Sequence, residues 1–110
     1  MIGRMEVELL VVPDCPNQQP ASELLRRALD EAGLLEVDFE TTVVATEQDA
    51  QARGFVGSPA FLLDGRDLFA APGATPAVAC RVYRTGDGPS GTPALADLVE
   101  ALRSASSTGG

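Results

Sequence analysis

Between Met5 and Val12, apolar and charged residues first alternate. They then give way to an unbroken apolar run, Leu9-Leu10-Val11-Val12. A period of two predicts a strand, and apolar residues on both of its faces predict one covered on both sides. Pro13-Asp14-Cys15-Pro16-Asn17 reads as a loop feeding a helix that runs to about Ala32 and stops at Gly33, a favoured residue just past a helix end. Leu24, Leu25, Ala28, Leu29 and Ala32 share one face of this helix, and Arg26, Arg27, Asp30 and Glu31 share the other. Glu23 and Arg27 have the spacing of an i, i+4 ion pair. Two starting points are open. A start at Pro16 puts Pro20 inside the helix and removes a backbone hydrogen bond, whereas a start at Pro20 leaves Cys15 on the loop one turn earlier.

Val37 to Val44 alternates again, with Val37, Phe39, Thr41 and Val43 against Asp38, Glu40, Thr42 and Val44, which predicts a strand exposed on one side. Thr46 and Asp49 have capping-box spacing, so a short helix follows and ends near Gly54. Ser58 to Leu63 is a third strand, and Asp64-Gly65 is a hairpin turn that returns Arg66 to Phe69 antiparallel. From Ala70 to Gly91 the chain is rich in Pro and Gly around an apolar patch at Val78 to Tyr83, and no definite element is predicted. Thr92-Pro93 opens a last helix with Pro at its first position, and Leu95, Leu98, Val99 and Leu102 line one face. The expectation is one domain over residues 1–104 and a disordered tail over 105–110. The order βαβαββα defines an α/β fold, a four-stranded mixed sheet with helices on both faces.

Composition narrows the function classes. The 110 residues suit one domain. The net charge is −8, every basic residue is Arg, and there is no His. Such a chain repels phosphate backbones and has no polybasic segment for an anionic membrane, so neither nucleic acid nor membrane is an expected partner. The acidic surface reads most simply as a solubility feature. Without His, a Cys–His nucleophile pair and a His-based zinc site are excluded within the chain. No cofactor is expected. The apolar run at Val7 to Val12 is too short for a secretory leader, so the expected location is cytoplasmic, where thiols stay mostly reduced.

That leaves the two cysteines. Cys15 lies between the first strand and the first helix, where helix dipole and free amides favour a thiolate and Asp14 opposes it. Cys80 is followed by Arg81 and Arg84, which favour its thiolate in turn; otherwise those arginines read as a solvated edge. A cytosolic thiol is often just a small buried hydrophobe, and this plain reading stands beside the reactive one for both residues. Gly57-Ser58-Pro59 opens the third strand, a normal place for Pro.

Taken together, the order βαβαββα, a Cys at the first strand–helix junction and Ser58-Pro59 opening the third strand resemble the thioredoxin/glutaredoxin fold. The resemblance spans roughly residues 5 to 103. It implies that Cys15 is the nucleophile, that Pro59 is a cis-proline beside it, and that the backbone of Ser58 pairs with an extended thiol ligand, next to Pro16. The departure is at Cys15-Pro16-Asn17-Gln18: dithiol members have a second Cys where this chain has Gln18, so exchange inside the motif is impossible. The resemblance therefore implies a monothiol protein, with Cys80 or an external thiol resolving the mixed disulfide and a protein or small-molecule disulfide as substrate. A non-catalytic binding module is the alternative. The stretches Gly57-Ser58-Pro59-Ala60 through Asp64-Gly65, Phe69-Ala70-Ala71-Pro72-Gly73 and Cys80-Arg81-Val82-Tyr83-Arg84 also resemble small bacterial thioredoxin-like proteins, some of which carry the name alkylmercury lyase. That likeness would cast Cys15, Cys80 and Asp14 as two thiols and an acid, although no lyase motif surrounds them. Two thiolates would also suit a soft cation such as mercury or copper(I).

Overall fold

A computed structural model describes residues 6–34, 37–69, 78–79 and 81–107. The element order is β1 (Val7–Val11), α1 (Gln18–Glu31), β2 (Phe39–Val43), α2 (Glu47–Arg53), β3 (Ala60–Leu63), β4 (Arg66–Asp67), β5 (Tyr83–Thr85), β6 (Gly88–Ser90) and α3 (Leu95–Ser107). Strands β1 to β4 form a mixed sheet in the order β2-β1-β3-β4. β1 is parallel to β2 and antiparallel to β3, and β3 is antiparallel to β4.

The apolar run explains why β1 lies inside the sheet. Leu9, Leu10 and Val11 are consecutive and fully buried, so both faces of the strand are covered. Each such side chain contributes about 2 kcal/mol of burial. Ala21, Leu25, Ala28 and Leu29 supply the buried face of α1, which packs against α3. Arg103 of α3 donates to the Glu31 carbonyl at the end of α1.

Local chemistry sets the boundaries. Gly33 takes φ +82 just past α1, and the Gly33 and Leu34 amides close back on the Asp30 and Leu29 carbonyls, the two bonds of a Schellman ending. The Thr46 hydroxyl accepts from the Asp49 amide at 3.1 Å and caps α2, which ends at left-handed Gly54. Asp64 and Gly65 both have positive φ, +52 and +82, as a two-residue hairpin turn of the primed type requires.

Several expectations are corrected. Between Ala70 and Gly91 the sequence pattern predicts no definite element, yet β5 and β6 form a second, two-stranded antiparallel sheet through a Gly86-Asp87 turn. α3 begins at Leu95, with its first turn closed from the Leu98 amide to the Ala94 carbonyl, so Pro93 precedes the helix rather than starting it. The same helix runs through Ser107, and 108–110 of the expected tail lie outside the described residues. In β2 the covered positions switch from Phe39 to Thr42 and then Val44, leaving Val43 48% exposed. The two ends of this edge strand are therefore covered on opposite faces. On α1, Arg27 pairs with Glu31 rather than Glu23, and Glu23 instead accepts from Gln19.

Candidate functional site at the end of the central strand

The chain leaves β1 through a tight turn. The Cys15 amide donates to the Val12 carbonyl at 3.3 Å, and Asp14 takes a left-handed φ of +56, which Asp tolerates better than most residues. The Gln18 amide then donates to the Cys15 carbonyl. α1 starts at Gln18 behind Asn17, between the two starting points left open by the sequence. Pro20 therefore falls in the first turn, where a missing N–H costs nothing. Cys15 sits on the loop ahead of the helix cap, not at it.

The sulfur of Cys15 is held by one named contact. The Ser58 hydroxyl donates to Cys15 Sγ at 3.0 Å, across 43 residues of sequence. Ser58 is fully buried and Cys15 is 8% exposed. Cys15, Pro16, Gln18, Gln19 and Ser22 line an open depression of about 490 Å³. The Ser58–Pro59 peptide bond is cis. Pro59 is fully buried, and its carbonyl accepts from the hydroxyl of Tyr83.

The backbone of Ser58 is also engaged. Its amide donates to the Ala79 carbonyl and its carbonyl accepts from the Arg81 amide, both at 2.8 Å. The pairing that the resemblance reserves for an external ligand is thus made by this chain. Arg81 is not the solvated edge read from sequence. Its guanidinium is 2.7 Å from the Asp67 carboxylate, with side chains only 10% and 16% exposed. It also donates to the Phe69 carbonyl and lies 4.8 Å from the centre of the Tyr83 ring. Arg84 is exposed. Phe61, Phe69 and Tyr83 meet edge to face, three of a total of four Phe and one Tyr in the chain.

The sequence reading brought Cys15, Pro16, Ser58 and Pro59 to one place, and the structure does bring these four together. Cys80, the expected second thiol, lies outside the described residues. Asp67, Arg81 and Tyr83 were missed as a group because their contacts span 14 to 24 residues and no periodicity links them. Among the described residues, no group of three or more metal-ligating side chains occurs, and no helix is long and apolar enough to cross a membrane. Comparison with family models, curated proteins and solved structures finds no match for this chain.

Burial pushes the Tyr83 phenol well above its usual value near 10.0, Arg81 pulling it down and Asp67 adding to the rise. The folded state then keeps a proton that the unfolded chain releases above about pH 10. This contribution to stability is complete below that pH and is lost as pH rises beyond it, at up to about 1.4 kcal/mol per pH unit. Urea midpoints taken between about pH 9 and about pH 11 should fall, and Tyr83→Phe should flatten the difference. Equal slopes in the two proteins would remove Tyr83 as the cause.

Proposed function

We propose that this chain is a thioredoxin-like protein that exchanges disulfides through Cys15. The observation that carries the reading is the Ser58 hydroxyl aimed at the Cys15 sulfur, at the wall of an open depression. The contact fixes the sulfur at that wall, and the thiolate is the attacking species in exchange. The element order supports the likeness, with Cys15 after the first strand and Ser58-Pro59 before the third.

The Cys15 thiolate attacks one sulfur of a substrate disulfide. A bond forms between Cys15 and that half of the substrate, and the other half leaves as a thiolate and takes up a proton. Cys80 then attacks the Cys15 sulfur and releases the bound half as a thiol, leaving an intramolecular disulfide that two external thiols reduce. Alternatively, an external thiol attacks the substrate sulfur, which frees the Cys15 thiolate and carries the substrate away in a new disulfide.

The test treats the reduced protein with bis(2-hydroxyethyl) disulfide and follows the intact mass. The wild-type chain should gain one hydroxyethylthio group or pass on to the internal disulfide. Cys80→Ser should accumulate the adduct, and Cys15→Ser should lose the reaction. An unchanged rate in Cys15→Ser overturns the proposal. A folded wild-type protein that forms no adduct leaves the second reading, a binding module that does no thiol chemistry. The low exposure of Cys15 and the occupied backbone of Ser58 favour that alternative.

A further inference from the structure

We propose that the outer edge of β2 is a dimer interface. A second copy of this chain adds its own β2 there, antiparallel, and the two four-stranded sheets become one continuous sheet.

The two edges of the sheet differ. β4 closes one side with only two residues, Arg66 and Asp67, and both are charged. β2 closes the other side with five, Phe39–Val43, and among the described residues no strand pairs with its outer edge. Edge strands are ordinarily blunted by shortness, Pro or charge. β2 has no Pro or Gly and a single charge, Glu40, and its other four residues all favour strands. Val43, an apolar side chain, is left 48% exposed.

The ladder inside the chain fixes which backbone groups face outward. The Val44 amide donates to the Val11 carbonyl, and on the other side of β1 the Glu6 carbonyl accepts the Asp64 amide. Odd positions of β1 therefore face β2, and even ones face β3. Backbone groups alternate along a strand, so Glu40, Thr42 and Val44 turn N–H and C=O toward β1. Phe39, Thr41 and Val43 turn theirs away from the sheet.

A two-fold axis at Thr41 sets outward groups against outward groups. Thr41 pairs with Thr41 of the other copy, and Phe39 of each copy pairs with Val43 of the other. The Phe39 ring then covers the exposed Val43, and Glu40 lies across from Thr42. A slip of one residue sets outward groups against groups already bonded to β1. A slip of two either puts Glu40 against Glu40 or carries Phe39 past the end of the opposing strand. The patch is thus self-complementary in one register, as a closed two-fold dimer requires. Five residues a side is less than a permanent interface needs, and each copy carries a net charge of −8. The dimer is therefore weak, and salt strengthens it.

Sedimentation equilibrium of the full chain tests this, with a phosphine reductant present to remove disulfide-linked dimers. In about 0.5 M NaCl the average mass should climb toward twofold between about 10 μM and about 1 mM protein, and climb less in about 0.02 M NaCl. Over the same range, hydrogen exchange read by NMR should slow at least about twofold at the Phe39, Thr41 and Val43 amides and stay unchanged at Glu40 and Thr42. Thr41 is exposed, so Thr41→Lys keeps the fold. It lowers the net repulsion between copies yet sets two ammonium groups face to face at the axis, and the mass rise should vanish. Thr41→Pro, which removes an outward N–H, should also stay monomeric. Any of three results overturns the proposal. The first is a constant monomer mass up to about 1 mM protein, as an edge reserved for a strand of another protein would give. The others are a mass rise that survives both variants, and exchange that slows at all β2 amides alike or at none.

Discussion

Gly57→Ala is expected to cost about 3 kcal/mol or more, the largest effect of any glycine substitution in the described residues. Two causes act together. Gly57 has a φ of +148, a backbone conformation that L side chains rarely adopt, and forcing a residue there costs about 1–3 kcal/mol. A Cβ at this position would also lie 2.7 Å from Arg81 Cβ and 3.2 Å from Arg81 Cα. Neither atom is the far end of a flexible chain, so relief requires the backbone at Arg81 to move. That movement pulls on the Arg81 amide bond to Ser58 and on the ion pair with Asp67. Gly86 is the matched control, since nothing lies within 4 Å of its Cβ and its φ is not in the positive range. Gly86→Ala should shift stability by no more than about 1 kcal/mol. Urea melts of the two variants check the pair. A loss at Gly57 below about 1 kcal/mol would mean that the close approach to Arg81 is not a feature of the folded protein.

What the sequence could reveal follows from the range over which each feature is encoded. The buried β1, the C-terminal end of α1, the ends of α2, and the Asp64-Gly65 hairpin were legible because each is set by residues within a few positions of one another. Cys15 and Ser58-Pro59 were legible as a pair only through resemblance, since nothing local to Ser58 says that its hydroxyl meets a sulfur 43 residues away. β5 and β6 carried a local signal, the two-residue Gly86-Asp87 loop. It was weak because each strand is three residues long and β6 is Gly88-Pro89-Ser90, a poor strand by propensity. The start of α3 was misplaced because Pro is acceptable both at the first helical position and just before a helix. Arg81 was misread for a general reason. An Arg in a stretch without periodicity is more often exposed than buried, and only the folded position of Asp67 reverses this.

Phe61→Ala is expected to destabilise the protein by about 3–5 kcal/mol and, beyond that loss, to loosen the Cys15 site. Phe61 is fully buried in β3, pairs with Leu9 of the central strand and accepts the Leu68 amide at 2.8 Å. Removing its ring leaves a cavity in the core. It also removes edge-to-face contacts with Phe69 at 6.3 Å and Tyr83 at 6.1 Å, worth about 0.5–1.5 kcal/mol each. Tyr83 matters here because its hydroxyl holds the Pro59 carbonyl, one residue from Ser58. Phe55 gives the comparison: it is equally buried, and none of the described aromatic contacts involves it. Phe55→Ala should therefore lose similar stability while labelling of Cys15 by N-ethylmaleimide follows global unfolding. Phe61→Ala should label Cys15 faster than its stability loss accounts for, and Phe61→Leu should fall between it and the wild type. If the two alanine variants label in proportion to their stability alone, the aromatic trio is ordinary core and does not support the Cys15 site.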